Sequence, residues 1–251
     1  LCAVVEYLYS LEQLLPHQAD VRITDRLELI AYNALPAPFS PDMWAHQYDQ
    51  QVNQAQCVVT DDRIYTTNRA DANLYGLEPH FGCCTANMHQ GFPKLATSLW
   101  VRGADGALRA TTYAPCEVTV PAAGTGTGRG KASQSAVTIR VETDYPLRED
   151  VHIVVESTSG PGVPIELPIP SWAEGATVSL DGAAASPAEP GRLHRVDLDT
   201  TGRHEIRLHL PMRVRVEFRY NGAASVYRGP LLFALKPEES WSHLRGDHPH
   251  S

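Results

Sequence analysis

Apolar residues in the first third of the chain recur at helical spacing. Val4, Leu8, Leu11 and Leu15 mark one stripe, closed by Pro16, and Ile23, Leu27, Ile30 and Ala34 mark a second, opened by Asp20 as a cap and stopped by Pro36. The short joint between them predicts a helical hairpin. Residues 36 to 82 lose this period and are polar and aromatic. So long a stretch without periodicity reads as a functional loop rather than as a connection. A third helix is predicted from Cys83 or Cys84, with Met88, Leu95 and Leu99 on its buried side and Pro93 kinking it or confining it to the later part.

From Leu108 the period changes to two. Alternating runs fall at Leu108–Val120, Ala136–Glu142, Val151–Glu156, Ile165–Pro168, Ala176–Leu180, Leu193–Leu198, His204–Leu210, Val214–Arg219 and Ser225–Leu235, separated by Gly, Pro and Asp. That pattern predicts an antiparallel sandwich. The Gly-rich stretch Ala122–Lys131 has strands predicted on both sides, so it reads as a hairpin extension or mobile loop within this half. No fixed-period repeat occurs.

Composition narrows the function. A chain of 251 residues with 43% hydrophobic and 20% charged positions has material for a sizeable core. Its net charge is −8 and its basic residues are scattered, so nucleic acid is not an expected partner. No apolar run is long enough to span a membrane, and no basic-then-apolar leader opens the chain. The sequence begins at Leu1 in mid-pattern, which reads as a truncation and leaves the compartment open.

Five cysteines, an odd number unevenly spaced, argue against a disulfide framework and for metal or catalytic use. The sharpest feature is Phe81-Gly82-Cys83-Cys84-Thr85-Ala86-Asn87-Met88-His89-Gln90. Adjacent cysteines do not readily bridge each other, but at a loop-to-helix junction both sulfurs can turn to one cation, which ionises them. Cys2 is the candidate third ligand, against the plain reading of a small buried residue. His89 is a further candidate, more often a surface or supporting group, and Cys57 and Cys116 read as ordinary small residues. Glu28 and Glu6 are either solvated helix carboxylates or acid–base groups beside a metal thiolate, and position alone does not choose. The loop from Met43 to Gln54, with Trp44, His46, Gln47 and Tyr48, offers aromatic faces and hydrogen-bonding side chains suited to a sugar, or else is a polar surface loop.

Several ordered motifs then converge. Leu1-Cys2-Ala3, Leu27-Glu28-x-x-Ala31-Tyr32-Asn33-Ala34, Gly82-Cys83-Cys84-x-x-Asn87, Ile169-Pro170-Ser171-Trp172-Ala173 and Arg228-Gly229-Pro230-Leu231 together resemble glycoside hydrolase family 127, the β-L-arabinofuranosidase-type enzymes. The resemblance implies an α+β multidomain chain: the C-terminal helices of an (α/α)6 catalytic barrel at residues 1–106, followed by an antiparallel β-sandwich at 107–251. It also implies a retaining exo-glycosidase acting on an oligosaccharide or glycan and binding Zn2+ through one glutamate and three cysteines. Cys2, Cys83 and Cys84 would be the cysteine ligands, with Cys83 the nucleophile, Glu28 a carboxylate near the substrate, and Tyr48 and His46 substrate-binding. The family's zinc glutamate would sit two residues before Cys2 and its acid–base glutamate further upstream, so the 251 residues alone are not expected to catalyse. The chain departs from the best-known arabinofuranosidases at Thr85 and over Met88–Lys94, which leaves the sugar open. A reading of another class also stands: a non-catalytic carbohydrate-binding or structural protein in which a closed zinc–cysteine site joins helix to loop. Thiol redox chemistry is disfavoured because no C-x-x-C occurs.

Overall fold

The computed structural model describes residues 1–50, 54, 56–60, 62, 68–77, 82–121, 136–158, 162–198 and 201–247. The stretch Ala122–Lys131, read above as a hairpin extension, lies outside them, as do parts of the loop between 36 and 82. Two compact units form, one from residues 1–10, 29–96 and 234–251, the other from 11–28 and 97–233. Among the described residues no helix is long and apolar enough to cross a membrane.

Helix α1 spans Cys2–Leu14 and α2 spans Val21–Leu29. The buried stripe of the first runs through Val5, Leu8, Leu11 and Leu15, the expected face except that Val5 is buried in place of Val4. Asp20 caps α2 as its position suggests: Oδ1 accepts the Arg22 backbone N–H at 3.0 Å. Beyond Leu29 the backbone widens into a π-helical turn, Ile30–Ala34, closed by the Leu35 N–H donating to the Ile30 carbonyl at 2.8 Å.

The predicted third helix is two short ones, α3 (Gly82–Met88) and α4 (Gly91–Thr97), parted at His89–Gln90. Pro93 is not the breaker. It sits in the first turn of α4, where its missing N–H would have had no intrahelical partner. Gly91 is required by packing at that start, since a Cβ there would lie 2.8 Å from Leu35 Cδ1.

The β-rich unit holds three sheets. Strands β1 (Trp100–Arg102), β2 (Leu108–Ala110), β6 (Ile165–Ile169) and β9 (Arg192–Val196) form one in the order β1-β2-β6-β9. The second contains β3 (Cys116–Pro121), β4 (Ala136–Thr143), β5 (Asp150–Ser157), β7 (Thr177–Leu180), β8 (Ser186–Pro187) and β10 (Gly202–His209), in the order β3-β4-β5-β10-β7-β8. The third is β11 (Val214–Phe218), β12 (Ala224–Arg228) and β13 (Leu231–Phe233).

In the six-stranded sheet the alternation seen in the sequence becomes one buried stripe. Ile139 pairs with Val155, Val141 with Ile153, Ile153 with Ile206 and Leu208 with Val178, all buried. On the opposite side Glu117 and Arg140 pair across β3 and β4 at 2.7 Å.

Two strand predictions are corrected. The run Leu108–Val120 is not one strand but two in different sheets, divided over Thr111–Pro115. That segment leaves the ladder to make side-chain anchors: Thr111 Oγ1 donates to the Ser98 carbonyl at 2.7 Å, Thr112 Oγ1 to Glu28 Oε1 at 2.8 Å, and Tyr113 Oη to the Pro168 carbonyl at 2.7 Å. Pro115, with no N–H to give, suits the crossing between sheets. Likewise Ser225–Leu235 is a hairpin, turned at Gly229, whose φ of 56° favours glycine and where a Cβ would lie 2.8 Å from Met212 Sδ. The sheets are not wholly antiparallel either, because β2 and β6 run parallel.

A buried ion pair sits in the four-stranded sheet. Arg109 donates through Nε and Nη2 to Glu166 Oε2 at 2.8 and 2.7 Å, while Nη1 donates to the Leu15 carbonyl at 2.9 Å. Glu28 is buried beside Thr112, and burial, partly offset by hydrogen bonding from Tyr145 and Thr112, pushes its carboxyl up to about 8.

Two outcomes follow. Arg109→Met leaves Glu166 with Arg195, 3.6 Å away and half-exposed, in place of its close buried partner and should cost about 3 kcal/mol of stability in urea unfolding. Glu28 stays protonated in the fold while the unfolded chain ionises near its ordinary value of 4.5. Its stabilising contribution is therefore complete below that value, declines as pH rises toward about 8, and is gone above it. Glu28→Gln keeps an acceptor for Thr112 without the ionisation, so its melting temperature should fall less than that of the wild type between acidic and mildly alkaline pH in parallel thermal scans.

Candidate metal and active site

Three thiols meet in the unit built from residues 1–10, 29–96 and 234–251. Cys2 opens α1, and Cys83 and Cys84 lie in the first turn of α3. Their sulfurs all fall within 4.8 Å of one another, and Cys2 Sγ lies 3.8 Å from Cys83 Sγ. None is in a disulfide. Their exposures differ: Cys84 is buried, Cys2 half-buried and Cys83 exposed. Burial first, and then the neighbouring Cys2 and Cys83, push the Cys84 thiol up to about 11, although the Cys2 backbone N–H pulls the other way. Three soft donors so placed could hold a metal ion.

Local hydrogen bonds fix these sulfurs. Asn87 Nδ2 donates to the Cys83 carbonyl at 2.8 Å, one turn along α3. The Leu1 backbone nitrogen donates to the Tyr48 carbonyl at 2.9 Å, tying the start of α1 to the loop. The Tyr48 phenol is pushed up, by desolvation first, then by Asp49 and by Cys2, Cys83 and Cys84.

His46 is buried and has β-bridges to Phe39 and to Gly76; its Nε2 lies 3.4 Å from Thr85 Oγ1, next in sequence to Cys84. The structure therefore brings together Cys2, Cys83 and Cys84, with Tyr48 joined to the start of α1 through Leu1 and His46 to α3 through Thr85. Glu28 belongs to the other unit, where it is bonded to Thr112. His89 is exposed at the break between α3 and α4 and outside the thiol group; Glu6 is exposed, and Cys57 and Cys116 are also outside the group.

Other supporting residues were not legible in the chain. Gln47 Nε2 donates to the Asn73 carbonyl at 2.6 Å, the Asp49 N–H to the Ala72 carbonyl at 3.0 Å, and Gln50 Nε2 to the Ala34 carbonyl at 3.1 Å. The last uses a carbonyl at the end of the π-helical turn. The density of Gln in the loop was a signal that side-chain amides would bond there, but no spacing rule joins Gln47 to Asn73.

Known proteins share the fold that carries this site. Residues 107–212 match the family model of the β-L-arabinofuranosidase GH127 middle domain. No curated protein sequence matches the chain. Among solved structures, one described as a glycoside hydrolase superposes with a TM-score of 0.73 at 18% identity, covering 92% of this chain and 37% of its own. A GH127 β-L-arabinofuranosidase from Geobacillus stearothermophilus T6 follows with a TM-score of 0.69 at 18% identity, covering 91% and 35%. A further GH127 β-arabinofuranosidase gives 0.67 at 19%, covering 92% and 36%. The chain thus spans little more than a third of the length of the structures it matches. Residues 107–212 thus match the GH127 middle domain, and the chain shares its fold with the GH127 structures over 91–92% of its length.

Proposed function

We propose that this chain is part of a retaining, zinc-dependent cysteine glycosidase that removes terminal β-L-arabinofuranosyl or a related sugar from glycans, with Cys83 as nucleophile. The observation that carries the reading is the unequal exposure of the three clustered thiols. Cys84 is buried, whereas Cys83, 3.8 Å from Cys2, faces solvent. A purely structural site would have no need of an accessible sulfur.

The donor set and spacing suit zinc. Two sulfurs at about 2.3 Å from a tetrahedral ion lie about 3.8 Å apart, the separation seen between Cys2 and Cys83. Bound zinc would supply ionised sulfur near neutral pH, where burial otherwise keeps Cys84 protonated up to about 11.

In the reaction, Cys83 Sγ attacks the anomeric carbon as the bond to the leaving oxygen breaks, and a carboxylic acid protonates that oxygen. The resemblance to the family assigns that acid to a glutamate outside the 251 residues. A glycosyl thioether on Cys83 then yields to water, deprotonated by the same carboxylate, which returns the thiolate and releases the sugar with its configuration retained. Cys2 and Cys84 hold and orient the reacting sulfur, while Tyr48 and His46 contact the sugar. We assign residues 1–106 to the end of an (α/α)6 barrel and 107–251 to the sandwich that follows, and keep Glu28 as the substrate-proximal carboxylate that the resemblance implies. The turnover itself belongs to the longer protein.

Three measurements test this reading. The chain should bind one equivalent of zinc, and Cys2→Ser or Cys84→Ser should weaken binding by more than about tenfold in competition with a colorimetric chelator; equal affinity in all three would refute the thiol site. In a longer protein carrying this chain, Cys83→Ala should lower kcat/KM on an arabinofuranoside by roughly ten-thousand-fold or more. Iodoacetamide should alkylate the wild type at Cys83 with matching loss of turnover. A closed, structural zinc would instead leave the thiol unmodified and the carbohydrate intact.

A further inference from the structure

Residues 234–247 fall in the same unit as the thiol cluster but form neither helix nor strand. They are not an idle tail, because two of their side chains are anchored to one short segment. The Trp241 ring meets Tyr75 edge-on, with centroids 5.2 Å apart, and Arg245 Nη2 lies 3.1 Å from Asp71 Oδ2. Glu239 sets the indole, its Oε2 accepting from Trp241 Nε1 at 3.2 Å.

Residues 71–76 are in turn the partner of the loop beside the thiols. The His46 and Gly76 backbones exchange hydrogen bonds at 3.0 and 3.2 Å, the Asp49 N–H donates to the Ala72 carbonyl at 3.0 Å, and Gln47 Nε2 donates to the Asn73 carbonyl at 2.6 Å. Ala72 and Asn73 are buried, whereas Trp241 is 59% exposed. The order of contact is thus strap, then residues 71–76, then the loop that carries His46 and Tyr48.

We propose that residues 239–245 are a strap that positions the His46–Asp49 loop, with Trp241 and Arg245 as positioning residues for the side chains that meet the sugar. The sugar-facing role of that loop rests on the function proposed above; the strap itself does not. Cys83 itself is carried by α3, so loosening the strap acts first on the sugar contacts of the loop and reaches the thiols only through the Leu1–Tyr48 and His46–Thr85 contacts.

Hydrogen–deuterium exchange on the 251-residue chain tests the mechanical half. In Trp241→Ala and in Arg245→Ala, peptides covering residues 45–50 and 72–77 should exchange about tenfold faster, with β4 and β5 unchanged, and Trp241→Phe should restore most of the protection. Unchanged exchange in those peptides, or equal acceleration across the chain, overturns the proposal. Because this reading involves no catalysis, it stands or falls apart from the glycosidase assignment. In an active longer protein Trp241→Ala should raise KM about tenfold with kcat held within about twofold. Local loosening with KM unmoved would refute the link from strap to sugar.

Discussion

Three sulfur atoms from stretches some eighty residues apart converge within 4.8 Å, and the unit that contains them is arranged around that convergence. Thiols gain little from each other's company. Burial is what drives the Cys84 thiol so far up, and each ionised sulfur nearby adds a smaller cost to ionising it. Backbone geometry must hold them together. The start of α1 is tied to the Tyr48 carbonyl, and α3 is broken off after two turns, so that Cys2 and Cys83 face each other from two helix ends. A cation at their centre turns mutual repulsion into attraction, and our functional reading depends on that exchange.

The β-rich unit is held by burial of a different kind. Its six-stranded sheet buries a continuous aliphatic stripe, and its four-stranded sheet encloses the Arg109–Glu166 pair, whose remaining donor reaches the Leu15 carbonyl just beyond α1. Thr112 and Tyr145 similarly accommodate a neutral Glu28. The Ile169–Ala173 motif ties this unit together in a comparable way, since the Ser171 N–H donates to the Asp25 carboxylate at 3.3 Å and Arg215 lies over the Trp172 ring. Polar groups buried in this way need complete partnership, which explains why the strand from Leu108 gives up its ladder at Thr111.

Much of this was legible in the chain. Period-two alternation located most strands to within a residue or two because those strands have one buried face. It failed at Thr111–Pro115, where apolar and polar residues still alternate but the hydrogen bonds leave the sheet, and at Gly229, where one apolar run folds back on itself. Short strands such as Trp100–Arg102 and Ser186–Pro187 give too few positions for a period to register. The doublet Cys83-Cys84 announced itself; its meeting with Cys2 is a long-range contact that only the family resemblance could suggest. The contacts of Gln47 with Asn73 and of Thr85 with His46 were not legible, because nothing in local spacing says which distant group a side chain will find.

The central claim is that zinc sits among these sulfurs with one of them open to a sugar. X-ray absorption at the zinc edge on the metal-loaded protein tests it most directly. The account expects a shell of three sulfurs at about 2.3 Å completed by a lighter ligand. A shell of nitrogen and oxygen alone, or a single sulfur, would contradict it.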